Sequence, residues 1–147
     1  MTMTNEMKNI RKEQFKRFLQ DERSFCMKQC NDILHRDNTY SSSIQLFHSA
    51  YDYAEYEGRN SILLDALIMV DAIDDPDRWP RWFEEKKAKT DSYIKFLNEQ
   101  SAKGISSLKL WLGDLLAESG TSLEIEMMKF KYKEIFKVEE SNDVREN

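Results

Sequence analysis

A stretch in the middle of the chain, 61–73, constrains the fold more than any other part of the sequence. Placed on a helix, it has a wide apolar arc made of Ile62, Leu63, Ala66, Leu67, Met69, Val70 and Ile73. The remaining sector holds Ser61, Leu64, Asp65, Ile68 and Asp71. A helix that is apolar over most of its circumference packs inside a domain. Because 61–73 is also too short and too acidic to cross a bilayer, we expect it to be the central helix of a small helical domain.

The composition of the chain fits one folded helical domain. With 147 residues, 40% hydrophobic and 33% charged, it can bury a core without metal or disulfide bonds. Four glycines and two prolines are too few for the many tight turns of a β-sandwich. We therefore predict an all-α, single-domain bundle over residues 1–138, followed by an acidic, flexible tail at 139–147.

Hydrophobic periodicity divides this domain into about six helices. They are expected at about 5–35, 43–56, 61–73, 80–100, 106–119 and 122–138. Gly58 and Gly120 lie where the second and fifth helices should end, since glycine readily adopts the left-handed conformation of a helix C-terminus. The clearest break is 74–83, which contains both prolines, and Asp75 before Pro76 fits the cap and first residue of a new helical turn.

The last predicted element, 122–138, carries two patterns. Alternating polarity in 123–127 and 129–133 would suit an amphipathic strand, whereas Ile125, Met128 and Tyr132 follow the helical period. The segment Thr121-Ser-Leu-Glu124 matches the capping box that begins many helices. We therefore expect a helix and keep a strand as the alternative.

Charge and targeting features indicate which classes of partner and which location to expect. A net charge of −5 disfavours nonspecific binding to nucleic acid or anionic lipid and suits another protein with a basic surface. Basic residues near the start, within 8–17, leave contact with nucleic acid as a weaker hypothesis. The sequence has no run of apolar residues long enough for a membrane span, no secretion signal and only two cysteines, so we expect a cytoplasmic protein.

Two groups of candidate metal ligands are better explained as structural. Cys26 and Cys30 lie four residues apart on the first helix, but a zinc site needs about four ligands, so we interpret them as small buried hydrophobic residues. His48, Asp52 and Glu55 share one face of the second helix, where a solvated polar stripe is the simpler explanation. No metal ligand is assigned from either group.

Four carboxylates, Asp71, Asp74, Asp75 and Asp77, form the most catalytic-looking cluster. Asp71 and Asp75 are one helical turn apart and could bind Mg²⁺ together with a second acidic pair. However, the sequence offers no second pair at that spacing on another helix, and capping of the next helical turn accounts for Asp74 or Asp75. Structural capping is therefore the favoured explanation, with partner binding and metal catalysis as alternatives.

Cations alternate with large aromatic residues in 78–83, directly after the acidic cluster. Tryptophan and arginine are enriched at interaction hot spots, because one rigid side chain buries a large area and still makes polar contacts. The alternative is that Trp79, Trp82 and Phe83 fold back as an aromatic lid on the central helix.

The function that follows is a noncatalytic protein-binding module, such as an immunity protein, an antitoxin or a phage or host inhibitor that masks a basic partner. The expected contact patch consists of Asp71, Asp74, Asp75, Asp77, Arg78, Trp79, Arg81 and Trp82. No catalytic residue, cofactor or metal is assigned. The alternative is a small metal-dependent helical enzyme of phosphate or pyrophosphate chemistry that uses Asp71 and Asp75. A homodimer formed through Phe15 and Phe18 is a further hypothesis.

Overall fold

The computed structural model describes residues 3–35, 43–102 and 108–137, and this part of the chain is all-helical. Its four long helices are α1 (Asn5–Leu34), α2 (Ser43–Ala72), α3 (Trp79–Ala102) and α4 (Leu108–Phe136). A short 3-10 turn, Pro76–Arg78, leads from α2 into α3. The predicted helical bundle is confirmed, whereas the predicted count of six helices is wrong. The strand alternative for 122–138 is also wrong, because its described residues belong to α4 or to the turn at Lys137.

The two most closely packed helices are α2 and α4, with α1 packed on α2 and α3 packed on α4. Ion pairs Lys16–Asp71 and Arg59–Glu22 join α1 to α2 in antiparallel order. Consecutive helices alternate in direction, so α2 and α4 run the same way. The bundle is therefore built on a central pair, α2 and α4, with one further helix on each side.

The segment 61–73 lies at the centre of this packing, as predicted. Its predicted apolar arc faces the core: Ile62, Leu63, Ala66, Met69 and Val70 are buried, and Leu67 and Ile73 pack partly against them. Leu64 and Ile68, which the helical period places in the polar sector, are 42% and 60% exposed. The segment differs from the prediction in being the second half of a longer helix.

Two glycines explain why the described residues form four long helices where six helices were predicted. Gly58 and Gly120 lie inside α2 and α4, where they were expected to end helices. A Cβ added to Gly58 would overlap the backbone of Ala117, and one added to Gly120 would overlap the backbone of Glu55. The glycines therefore permit close approach of two continuous helices, at a cost in helix propensity of about 1 kcal/mol each relative to alanine.

The expected capping box at 121–124 is wrong for the same reason. Inside a continuous helix, the Thr121 hydroxyl donates to a carbonyl of its own helix, Ala117 O, or across the helix pair to Gly58 O, each at 3.1 Å. Glu124 points into the core and is fully buried.

The break between α2 and α3 is confirmed. Asp75 caps the 3-10 turn by accepting from the backbone N–H of Asp77 at 3.0 Å, and Pro76 follows it as predicted. Among the described helices, none combines the length and the apolar composition needed to span a membrane. The predicted domain end at 138 and the tail 139–147 lie outside the described residues.

Candidate functional site

The predicted contact patch lies around the corner, which we define as residues 73–78 between α2 and α3. Side-chain hydrogen bonds hold its backbone in place. The indole N–H of Trp79 donates to the carbonyl of Ile73 at 2.8 Å, and the Tyr132 hydroxyl donates to the carbonyl of Pro76 at 3.0 Å. Together with the Asp75 cap, these bonds give the corner a defined conformation.

An aromatic cluster in the core anchors the corner from beneath. Trp79 is fully buried, and its ring centroid lies 5.4 Å from that of Phe15 and 5.7 Å from that of Phe136. Burial, followed by the charges of nearby aspartates, raises the pKa of Tyr132 to about 12, so this phenol stays neutral and keeps its hydrogen to donate. A site on the corner is therefore supported by rigid packing.

Three lysines of α1 bind three aspartates at or beside the corner. The pairs are Lys8–Asp77 at 3.3 Å, Lys12–Asp74 at 2.6 Å and Lys16–Asp71 at 2.8 Å. Lysines four residues apart lie on one face of α1, and the antiparallel packing of α2 brings one aspartate to each of them. The acidic cluster and the basic start, which the sequence analysis treated as separate features, thus form one ladder.

The carboxylates of this ladder remain on the outside of the molecule. The side chains of Asp71, Asp74 and Asp77 are 66%, 102% and 68% exposed, while those of their lysine partners are 19–32% exposed. We call these three side chains the carboxylate row. In each ion pair the lysine contacts one carboxylate oxygen. The second oxygen of each aspartate is thus available to accept hydrogen bonds from outside.

Hydrogen bonds within the ladder favour the charged forms of Asp74 and Lys16. The ammonium group of Lys12 lowers the pKa of Asp74, first through a hydrogen bond and then through its charge. In the same way, Asp71 raises the pKa of Lys16. A row of ionised carboxylates is a good acceptor for arginine or lysine side chains of another protein.

The remaining residues of the predicted patch divide between surface and core. Arg78 and Arg81 are exposed, and Arg81 pairs with Glu85 at 3.0 Å. Trp82 is half-buried, with the Lys86 ammonium 5.5 Å from its ring centroid. Trp79 has no exposed surface, so its assignment as a contact residue is wrong. It instead forms part of the aromatic lid that the sequence analysis gave as the alternative.

The structure also bears on two other hypotheses about the surface, the homodimer and the contact with nucleic acid. Phe15, expected to meet a second copy of the chain, is fully buried, and Phe18 is packed against the core. That dimer surface is therefore wrong, because its first aromatic residue fills the bundle interior. The lysines offered for nucleic-acid contact are paired within the ladder, which lowers the positive potential of that face.

The acidic residues proposed to bind Mg²⁺ have other partners. Asp71 is bound by Lys16, and Asp75 uses its side chain as the cap. Among the described residues, no group of three or more His, Cys, Asp or Glu side chains is arranged to hold a metal ion. Cys26 is buried, and desolvation raises the pKa of its thiol to about 11, as expected for a small core residue.

Addition of millimolar MgCl₂ is accordingly expected to leave the midpoint of thermal unfolding where an equal ionic strength of NaCl leaves it. A metal site formed only in the folded state would raise the midpoint, because the ligand stabilises the state that it binds. A rise that is specific to Mg²⁺ and disappears in Asp71→Ala would contradict the assignment of Asp71 to the ladder.

One polar cluster was not predicted from the sequence. Arg59 and Glu124 form a buried ion pair at 2.8 Å between α2 and α4, and Glu22 of α1 contacts the same guanidinium at 3.4 Å. The available signal was weak, because the predicted helix breaks at Gly58 and Gly120 placed Arg59 and Glu124 near helix ends, where charges are normally exposed.

Comparison with protein-family models, with curated proteins and with solved structures found no match.

Proposed function

We propose that this protein is a noncatalytic protein-binding module that contacts a basic partner through the carboxylate row and the exposed residues beside it. The observation that carries the proposal is the exposure of three carboxylates, Asp71, Asp74 and Asp77, at and beside the corner. Asp75, Arg78, Arg81 and Trp82 surround the row and complete the contact patch.

The ladder prepares the row for binding. Each lysine restricts its aspartate to a defined position, so less side-chain freedom is lost when a partner binds. Because the lysine side chains are less exposed than the carboxylates, an approaching partner contacts the acidic groups first. Such a surface favours a partner with arginine or lysine side chains and rejects an acidic one.

Trp82 and Arg81 add contacts of another kind. A half-buried tryptophan offers apolar area next to charged groups, the combination that is common at interaction hot spots. The Arg81–Glu85 pair is exposed on both sides and can exchange partners at little cost, since exposed ion pairs contribute little stability.

Within this class, an immunity protein, an antitoxin or an inhibitor that masks a basic surface fits the proposed site best. A cytoplasmic location accords with such a role and remains a prediction. The metal-dependent enzyme, which was the alternative, would need Lys16 to leave Asp71 before a cation could bind.

Neutralising the carboxylate row is expected to abolish capture of the partner. The test variant is the triple change Asp71→Asn, Asp74→Asn and Asp77→Asn, which leaves the Asp75 cap intact. Wild-type and variant proteins, immobilised in equal amounts, are exposed to extract of the native cells, and bound proteins are quantified by mass spectrometry. A partner enriched by the wild type and lost with the variant would support the proposal.

A matched control carries the same change of charge elsewhere. Asp21, Asp32 and Asp52 are exposed, and changing all three to asparagine removes three negative charges away from the corner. This control should still capture the partner, and the association rate should fall as NaCl is raised. Equal capture by both triple variants, or an association rate indifferent to salt, would reject the row as the contact site.

A further inference from the structure

The buried charge cluster, defined as Glu22, Arg59 and Glu124, lies where α1 covers the α2–α4 pair. Glu124 is fully buried and Arg59 is 8% exposed. The Arg59 Nε–H donates to Glu124 Oε2 at 2.8 Å, and an Nη2–H donates to Glu22 Oε2 at 3.4 Å. One guanidinium therefore serves two carboxyl groups inside the bundle.

Apolar and aromatic groups surround the guanidinium of this cluster, while the Glu22 side chain keeps 22% exposure. The Arg59 guanidinium carbon lies 6.0 Å from the ring centroid of Phe25 and 5.4 Å from that of Tyr56. The sulfur of Met127 lies 3.9 Å from Arg59 Nη2. At Glu124, which is fully buried, an uncompensated charge is costly because water cannot solvate it.

The cluster has one negative charge too many if both carboxyl groups are ionised. Glu124 Oε1 is buried, and no described residue forms a hydrogen bond with it. The carboxyl groups of Glu22 and Glu124 accept from the same guanidinium, so they lie close together. A proton on Glu124 would remove the excess charge and make its buried carboxyl group a hydrogen-bond donor.

We propose that Glu124 is protonated in the folded bundle, and that loss of this proton beside the carboxyl group of Glu22 weakens the docking of α1 onto α2 and α4. Among the described residues, the titratable groups beside Glu124 are Glu22 and Cys26 on α1 and Arg59 on α2. Arg59 remains protonated, and the buried Cys26 thiol remains neutral, so the Glu124 proton is the one that changes. Because Glu22 belongs to α1, repulsion between the two ionised carboxylates acts across the α1 interface.

The direction of the pH effect follows from the burial of Glu124. Desolvation is the largest influence and raises the pKa of Glu124 to about 7, against 4.5 for an ordinary glutamate, and the Glu22 charge adds to the rise. A carboxyl group whose pKa is higher in the folded state contributes stability that is complete below the unfolded-state pKa. That contribution is lost as the pH rises through about 7.

Urea denaturation of the full chain at two pH values tests the proposal. Between about pH 5.5 and about pH 8.5, the unfolding equilibrium constant of the wild type should rise about thirtyfold. Glu124→Gln, a neutral isostere of the protonated acid, should remove most of this rise. Glu126→Gln, on the exposed face of the same helix, is the matched control and should keep the wild-type profile.

Two further measurements address the Glu124 proton and the role of α1. Infrared spectra near pH 6 should contain the C=O band of a protonated carboxylic acid, which Glu124→Gln removes and Glu126→Gln keeps. If Glu124→Gln does not fold, Glu22→Gln replaces it as the test variant. Glu22→Gln should reduce the pH dependence of the unfolding equilibrium constant, because it removes the negative charge that favours the proton on Glu124. Amide-exchange protection factors of α1, corrected for intrinsic rates, should fall at the higher pH more than those of α3.

Three results would overturn the inference. They are a wild-type stability that is flat across this pH range, a pH dependence that persists in both Glu124→Gln and Glu22→Gln, and the absence of the carboxylic acid band. An equal loss of protection in α1 and α3 would overturn the assignment of the effect to α1 docking.

Discussion

Replacing Gly58 with alanine is expected to destabilise the bundle by about 2 kcal/mol or more, because overpacking against a rigid neighbour costs more than alanine's helix propensity returns. The added methyl group would overlap the backbone of Ala117, which cannot turn aside as a side chain can. Gly120→Ala should have the same effect through the backbone of Glu55. Urea denaturation monitored by circular dichroism measures both losses.

Gly113 supplies the control for this prediction within α4. A Cβ added at Gly113 would meet no atom within 4 Å. Gly113→Ala should therefore stabilise the protein by about 0.5–1 kcal/mol, the ordinary gain of alanine over glycine in a helix. If Gly58→Ala were stabilising to the same extent as Gly113→Ala, the close contact between α2 and α4 would be wrong.

Truncation of Trp79 is the second large effect. Trp79→Ala should cost about 3–5 kcal/mol, the range observed when a large buried aromatic residue is removed. The variant loses its packing against Phe15 and Phe136 and the hydrogen bond to the carbonyl of Ile73. We expect a lower midpoint of thermal unfolding, together with weaker binding of the partner at any temperature where part of the protein is unfolded.

Trp82 provides the comparison for Trp79, three residues further along α3. It is half-buried, so Trp82→Ala should cost clearly less stability. In the proposed function Trp82 also belongs to the contact patch, and its loss should weaken partner binding even at temperatures where the variant is fully folded. Equal stability losses at the two positions would contradict the burial of Trp79.

The fold was largely predictable because hydrophobic periodicity is strong in this chain. The first helix, the break at the prolines and the buried arc of 61–73 all follow from local spacing. The helix number was not predictable in the same way. Gly58 and Gly120 carry the local signal of a helix end, and only the approach of two distant helix backbones reveals their actual role.

The residues of the predicted patch are neighbours in the chain, but their pairings were not predictable. The acidic residues and arginines lie together around the corner, and their role as a contact site stays a prediction. Lys8, Lys12 and Lys16 already show a four-residue spacing in the sequence. Their pairing with aspartates some sixty residues away depends on how α1 packs against α2, which local pattern does not specify.

Buried polar groups were the hardest to predict. Arg59 and Glu124 lie 65 residues apart in the chain, and neither stands out in composition or spacing. Trp79 presented the opposite difficulty, because a tryptophan beside arginines is typical of an interface as well as of a core. In both cases the deciding quantity is burial, which depends on the assembled bundle.

The glycine contacts between α2 and α4 also determine the longitudinal register of these helices. Sliding α4 by one turn, about 5.4 Å, would bring Leu116 or Glu124 to the place where Gly120 now meets the backbone of Glu55. Their side chains do not fit there, so neighbouring alignments are excluded. The same alignment lets Tyr132, at the far end of α4, reach the carbonyl of Pro76. A steric restriction near the middle of the helix pair thus governs the geometry of the corner at its end.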